Sequence, residues 1–244
     1  MQNPSTPAGV TGYAETAKVM MRLLSTQLGI AFSALLPLIN PLGSALVFYG
    51  MVGPASPETY RRLARRIAIN TVLFLLVIEL AGAALLTFFG VSLPIVELAG
   101  GLMLAAMGWD LLNQSGADAQ QKEKAGQTAA VEGQHLDDKT FYPLTFPVTA
   151  GPGCIVTMLT LSAHASIHKL APDLLAHAGI LIAVVLLAAM VYFAYAYAPL
   201  ITHKISAQTA RGIAQVIAFL LLCIGVQIAW NGLSTLWTAM PLRH

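Results

Sequence analysis

The sequence predicts an all-α, polytopic membrane protein: six transmembrane helices in two inverted three-helix repeats, with helices 1 and 4 broken. Three observations carry that prediction. The first is composition. Of 244 residues, 57% are hydrophobic and 10% charged, with a mean hydropathy of +0.71, whereas a soluble domain carries about 25% charged residues. So few charges cannot cover a water-facing surface, and lipid is the solvent that fits. The second is segregation. No Asp, Glu, Lys or Arg lies between Arg22 and Glu58, Lys139 and Lys169, Asp173 and Lys204, or Arg211 and Arg243. Each gap exceeds the roughly 20 residues that cross a hydrocarbon core of about 30 Å. The third is internal correspondence. Pro37–Gly43 reads P-L-I-N-P-L-G and Pro147–Gly153 reads P-V-T-A-G-P-G, each with Pro and Gly six apart and a second proline between.

The spans fall at 28–52, 67–89, 92–113, 141–165, 174–198 and 213–237. They divide the chain into an N-terminal extracytoplasmic segment (1–27), a first repeat (28–113), a flexible cytoplasmic linker (114–140), a second repeat (141–237) and a C-terminal tail (238–244). The linker is rich in Gln, Ala, Gly and charge, a composition that favours solvated coil. Residues 1–25 begin polar and carry Glu15 before the apolar run, an order unlike a cleaved signal peptide. Three spans is an odd number, so the second half enters from the opposite face. Gly100–Asp110 and Ile217–Gln227 also correspond, Gly108 with Gly225 and Asp110 with Gln227.

Orientation follows from Lys and Arg in the loops. With the N-terminus outside, the inner segments hold Arg61, Arg62, Arg65, Arg66, Lys122, Lys124, Lys139, Lys204 and Arg211. The outer ones hold only Lys18, Arg22, Lys169 and Arg243. Both termini are therefore expected on the extracytoplasmic side of the bacterial inner membrane.

The candidate site is where the breaks fall. Proline inside a helix removes a backbone donor and clashes with the preceding turn, and glycine eases departure from the helix. Unwound segments expose carbonyls, which suit a cation, and half-helix N-termini, which suit a carboxylate. An amino-acid zwitterion presents both charges. Matched broken helices in inverted halves are a transporter pattern. The substrate-binding candidates are Asn40, Pro41, Gly43, Thr149, Gly151, Pro152 and Gly153. Glu79 stands mid-span, where an acid costs about 2.5–3.5 kcal/mol. It is the coupling candidate, set against a packing role with a hydrogen bond to a neighbouring helix. Glu97 and Asp110 lie nearer span ends, within reach of water. His164 and His168 are four apart, but Ala165 stands where a zinc protease helix needs Glu, so they and His177 read as interfacial. Gly101-x-x-x-Ala105 and Gly225-x-x-x-Ala229 suit close helix packing. Cys154 and Cys223 sit in apolar runs and read as packing residues. No catalytic constellation, metal site, cofactor motif or basic nucleic-acid tract is present in the sequence, so an enzyme is not expected.

Several stretches together carry a resemblance: I-N-P-L-G (Ile39–Gly43), E-L-A-G-G (Glu97–Gly101), P-V-T-A-G-P-G (Pro147–Gly153) and F-L-L-L-C-I-G-V-Q (Phe219–Gln227). In this order, over residues 25–237, the chain resembles the MarC family of bacterial inner-membrane proteins, grouped with LysE-type exporters. The resemblance implies transport, with small neutral amino acids the substrate class associated with some members. Where the family commonly has a basic residue before the glycine pair, this chain has Glu97.

The expected function is thus an inner-membrane secondary transporter that exports or exchanges small neutral amino acids or related metabolites through a midplane site. Its partners are a small-molecule substrate, membrane lipid and a proton or sodium ion for coupling, and a homo-oligomer is compatible with the sequence. The rival readings are a metal-ion or other cation permeation protein using Glu79, Asp110 and the histidines, and a membrane scaffold that transports nothing.

Overall fold

A computed structural model describes residues 8–113, 139–165, 170–204 and 207–239, and all the regular structure among them is helical. Helix α1 (Ala8–Ile39) is followed after Asn40 by α2 (Pro41–Val52). Next come α3 (Pro57–Phe89), α4 (Leu93–Asn113), an irregular segment α5 (Thr140–Thr149), α6 (Pro152–Ala165), α7 (Leu170–Ala196), α8 (Ala198–Lys204) and α9 (Ala207–Ala239).

Among the described residues, four stretches are long and apolar enough to cross a membrane: Lys18–Val52, Leu93–Asp110, Asp173–Ala196 and Gln215–Ala239. A fifth arises if Thr140–Thr149 and Pro152–Ala163, bent by 69° at their junction, form one span. The outward faces are strongly apolar: Phe88 is 80% exposed, Leu80 73% and Trp237 74%. That much exposed hydrocarbon suits lipid rather than water.

The helix ends follow local chemistry. Ser56 caps α3, its hydroxyl accepting from Thr59 N at 3.2 Å, with Pro57 in the first turn and Glu58 beside the positive end of the dipole. Gly90 ends α3 in the left-handed conformation at φ 66°, where a Cβ would be strained. This capping extends helix through Arg61, Arg62, Arg65 and Arg66, which sequence reading placed in a loop. At the N-terminus, α1 begins at Ala8 and runs without interruption to Ile39. Helix therefore occupies most of the segment that sequence reading set before the first span.

The closest packing joins α4 to α9. A Cβ on Gly101 would lie 2.6 Å from Gly225 O and collide with Ala229 N. One on Gly225 would lie 2.7 Å from Gly101 O and collide with Ala105 N. The two G-x-x-x-A motifs thus interlock reciprocally, backbone on backbone, as small residues in lipid allow. Further along, Gly108 meets Leu222 and Ala218, and Gly232 meets Pro94 and Leu98. Residue numbers rise along one helix as they fall along the other, so the pair is antiparallel. A second core gathers Leu35, Ile39, Phe48, Leu63, Ile67, Ile180, Leu187 and Tyr195 between α1, α2, α3 and α7.

Because the neighbours of Gly225 are backbone atoms that cannot rotate away, Gly225→Leu is expected to destabilise the protein by about 3 kcal/mol or more. Gly212→Leu, at a glycine where an added Cβ would meet nothing within 4 Å, serves as the control with little effect. Thermal unfolding in detergent micelles measures both.

Candidate functional site

The first break turns on Asn40. Its backbone is left-handed, φ 43° and ψ 68°, a conformation Asn tolerates because its short amide bonds locally. That amide accepts from Gly43 N at 3.1 Å and caps α2. Pro41 at the first helical position needs no acceptor for its nitrogen. A side chain on Gly43 would run into the Asn40 amide, so the Asn and Gly require one another. The Ser44 hydroxyl lies 2.8 Å from Asn40 O and 3.2 Å from Ile39 O.

The second break has a different solution. Tyr142 (φ −117°, ψ 124°) and Phe146 (φ −120°, ψ 125°) are extended. Each precedes a proline, Pro143 or Pro147, which disfavours the helical region for its predecessor. Both Tyr142–Pro143 and Phe146–Pro147 peptide bonds are cis. Threonines take up the carbonyls along this segment: Thr145 donates to Thr140 O and Thr149 to Leu144 O, each at 2.6 Å. Ala150 N reaches Thr145 O at 2.8 Å, and Cys154 N reaches Gly151 O at 2.9 Å.

The two breaks meet. A Cβ on Gly153, just past the second, would lie 3.2 Å from the Leu38 side chain, just before the first, and would collide with Leu104. Tyr195 of α7 ties them further. Its hydroxyl is 2.8 Å from Thr149 Oγ1. Thr149 spends its proton on Leu144 O, so Tyr195 is the donor in that pair. The Tyr195 ring stacks on Phe48 at 4.4 Å, and Phe48 meets Tyr60 edge-on at 5.7 Å. Tyr60, at the loop-facing start of α3, donates to Gly53 O at 2.7 Å. Burial, and less so the neighbouring Tyr49, pushes its phenol up to about 12, which keeps it a donor.

Glu79 lies elsewhere. Its side chain is 1% exposed, and Oε1 is 2.6 Å from His177 Nδ1 on α7. Ser162 of α6 donates to the Glu79 main-chain oxygen at 3.1 Å, while Oε2 has no hydrogen-bond partner among the described residues. His177 is therefore not a free interfacial histidine but the partner of the one acid in the middle of α3.

Residues 25–237 match the family described as MarC family integral membrane protein. The chain belongs to the MarC family. It is 26% identical over 206 residues to the inner membrane protein MarC of Escherichia coli strain UTI89, a match covering 84% of this chain and 93% of the relative. To the protein of the same name from Shigella flexneri it is 25% identical over the same shares. No solved structure matches it. Membership and the apolar helices make it a multi-pass protein of the inner membrane.

Within this MarC-family chain the structure brings Asn40, Pro41 and Gly43 into one neighbourhood with Thr149, Gly151, Pro152 and Gly153, and leaves Glu79 outside it. Sequence reading missed Ser44, Tyr195 and His177. Tyr195 stands near the end of a span beside two other tyrosines, Tyr192 and Tyr197, and nothing in the sequence sets it apart from them. Glu97, expected within reach of water, is buried at 4% exposure beside Gly232 of α9, because the close approach of α4 and α9 covers it. Asp110 is exposed as expected. His164 lies on α6 with its side chain outside the described residues, and His168 lies outside them altogether. Among the described residues, no cluster of three His, Cys, Asp or Glu could hold a metal. Cys154 is buried, Cys223 exposed, and both are free thiols.

A double-mutant cycle on Tyr195→Phe and Thr149→Val is expected to return a coupling energy of about 1 kcal/mol by thermal or denaturant unfolding. Additive effects would mean that the phenol and the threonine do not bond.

Proposed function

We propose that this chain is a secondary transporter of the bacterial inner membrane that exports or exchanges small neutral amino acids or related metabolites. The observation that carries the proposal is the meeting of the two Pro/Gly breaks through Leu38–Gly153 and through Tyr195, which bonds to Thr149 of α5 and stacks on Phe48 of α2. Substrate binds where they meet. Its carboxylate is drawn to the N-terminal ends of α2 and α6, and its ammonium to carbonyls of the irregular α5. Asn40, Pro41, Gly43, Thr149, Gly151, Pro152 and Gly153 line this place. The site extends from the level of Leu104, midway along α4, toward Tyr195 in the last turn of α7, and so reaches from the midplane toward one face.

The proposal takes six spans, adding α3 through its residues 67–89, where Glu79 is the sole charge. It keeps the two inverted halves (28–113 and 141–237), the cytoplasmic linker between them and both termini outside. Helix pairing supports it. Exchange of α1 with α5, α2 with α6, α3 with α7, and α4 with α9 turns α1·α7 into α5·α3, α2·α7 into α6·α3 and α1·α6 into α5·α2, and all six packings occur. The α4·α9 pair maps onto itself. Glu79 serves as the coupling group, as intramembrane acids commonly do.

Reconstituted into proteoliposomes, the protein is expected to exchange a neutral amino acid across the bilayer. Asn40→Ala and Gly151→Leu should each reduce this by about tenfold or more, a loss of roughly 1.4 kcal/mol. Glu79→Gln should abolish its dependence on the ion gradient. Full activity in both break variants would remove the site, and an unchanged gradient dependence in Glu79→Gln would remove the coupling role.

A further inference from the structure

We propose that the coupling ion is a proton, that Glu79 and His177 bind it jointly, and that this site is distinct from the helix breaks and lies near the opposite end of α7. The role as a coupling site rests on the transporter reading; the proton site itself rests on geometry. His177 stands in the second turn of α7, and Tyr195 in its last. Eighteen residues separate them, about 27 Å of helix. Helix α3 runs antiparallel beside α7, with Glu79 opposite His177 and Tyr60 near the aromatic cluster at the far end. Glu79 therefore cannot touch a molecule held between Thr149 and Asn40.

The chemistry of the pair selects a proton. Hard cations need a shell of several oxygens, whereas Glu79 presents one carboxylate with an imidazole nitrogen 2.6 Å from Oε1. The Ser162 hydroxyl is turned to the Glu79 backbone carbonyl. A proton needs no such shell. Oε2 is a buried carboxylate oxygen without a hydrogen-bond partner among the described residues, so little there holds the acid in its ionised form. His177 supplies the route, since its side chain is 29% exposed against 1% for Glu79. A proton taken up at Nε2, with the Nδ1 proton passed to Oε1, leaves the imidazole neutral in its other tautomer and the acid protonated. One proton enters and none is lost. With both termini outside, this end of α7 faces the extracytoplasmic side, from which an exporter driven by proton entry must draw.

The surroundings hold few competing charges. Asp173 lies one turn before His177 on α7. Helix α1 meets this end of α7 at Gly179 through Leu24, Gln27 and Leu28, and its nearest charge, Arg22, is exposed. Helix α6 contributes Ser162 and carries His164 two residues later. Helix α5 meets α3 through Phe141 and Phe146 against Phe74.

Infrared difference spectroscopy on the full chain in liposomes, titrated with pH, tests this. The expected result is a carboxylic-acid band that disappears in Glu79→Gln. His177→Gln should displace its titration by about one pH unit or more, whereas Thr149→Val and Asn40→Ala leave it in place. Should Glu79→Gln not fold, Glu79→Asp moves the band instead of removing it. A titration unmoved by His177→Gln, or moved as far by Thr149→Val, would overturn the proposal. Absence of amino-acid exchange by the wild type, with this titration pattern intact, would remove the transporter reading and leave the proton site standing.

Discussion

In a bilayer, every backbone N–H and C=O must find a partner inside the protein, and the architecture follows from how two broken helices meet that demand. Five prolines, Pro37, Pro41, Pro143, Pro147 and Pro152, lie in or beside the two breaks. Each break is repaired by short polar side chains on the spot. Asn40 and Ser44 close the first, and Thr145 and Thr149 the second. The repair at Thr149 extends outward to Tyr195 of α7, so local backbone accounting becomes a tertiary contact. Substitution of these polar residues by apolar ones of equal size would leave the Gly43 N–H and the carbonyls of Asn40, Thr140 and Leu144 bare in hydrocarbon.

That accounting separates what was legible in the sequence from what was not. The breaks were legible because Pro and Gly act through the backbone of their own neighbours. The α4–α9 seam was legible too, since a glycine and an alanine four apart mark one helix face wherever it packs. Both are local signals. Tyr195 and His177 were not legible. Their partners, Thr149 and Glu79, lie 46 and 98 positions away in the chain, and nothing in a helical period says which distant residue faces a given one. Glu97 was misjudged for the same reason: nearness to the span end suggested water, but the tightness of a glycine seam decided its burial. The start of α1 was missed because the segment before the first span is too polar to read as membrane, although polarity does not forbid helix.

Helix α7 is where the separate features join. At one end its His177 holds Glu79 of α3, and at the other its Tyr195 holds Thr149 of α5 and stacks on Phe48 of α2. A rigid helix of 27 residues that touches a titratable pair at one end and the breaks at the other can carry a small tilt between them. Such a tilt needs no change in the α4–α9 seam, whose backbone contacts leave little room to slide.

The claim on which the account depends is that the two breaks form one binding place for a small neutral amino acid. Thermal unfolding of the purified protein against a panel of such amino acids tests it most directly, because a ligand that binds only the folded state adds about 2.7 kcal/mol at a hundredfold excess over Kd. The account predicts that at least one of them raises Tm in the wild type and that Thr149→Val loses the shift. No shift with any amino acid, or the same shift in the variant, would contradict it.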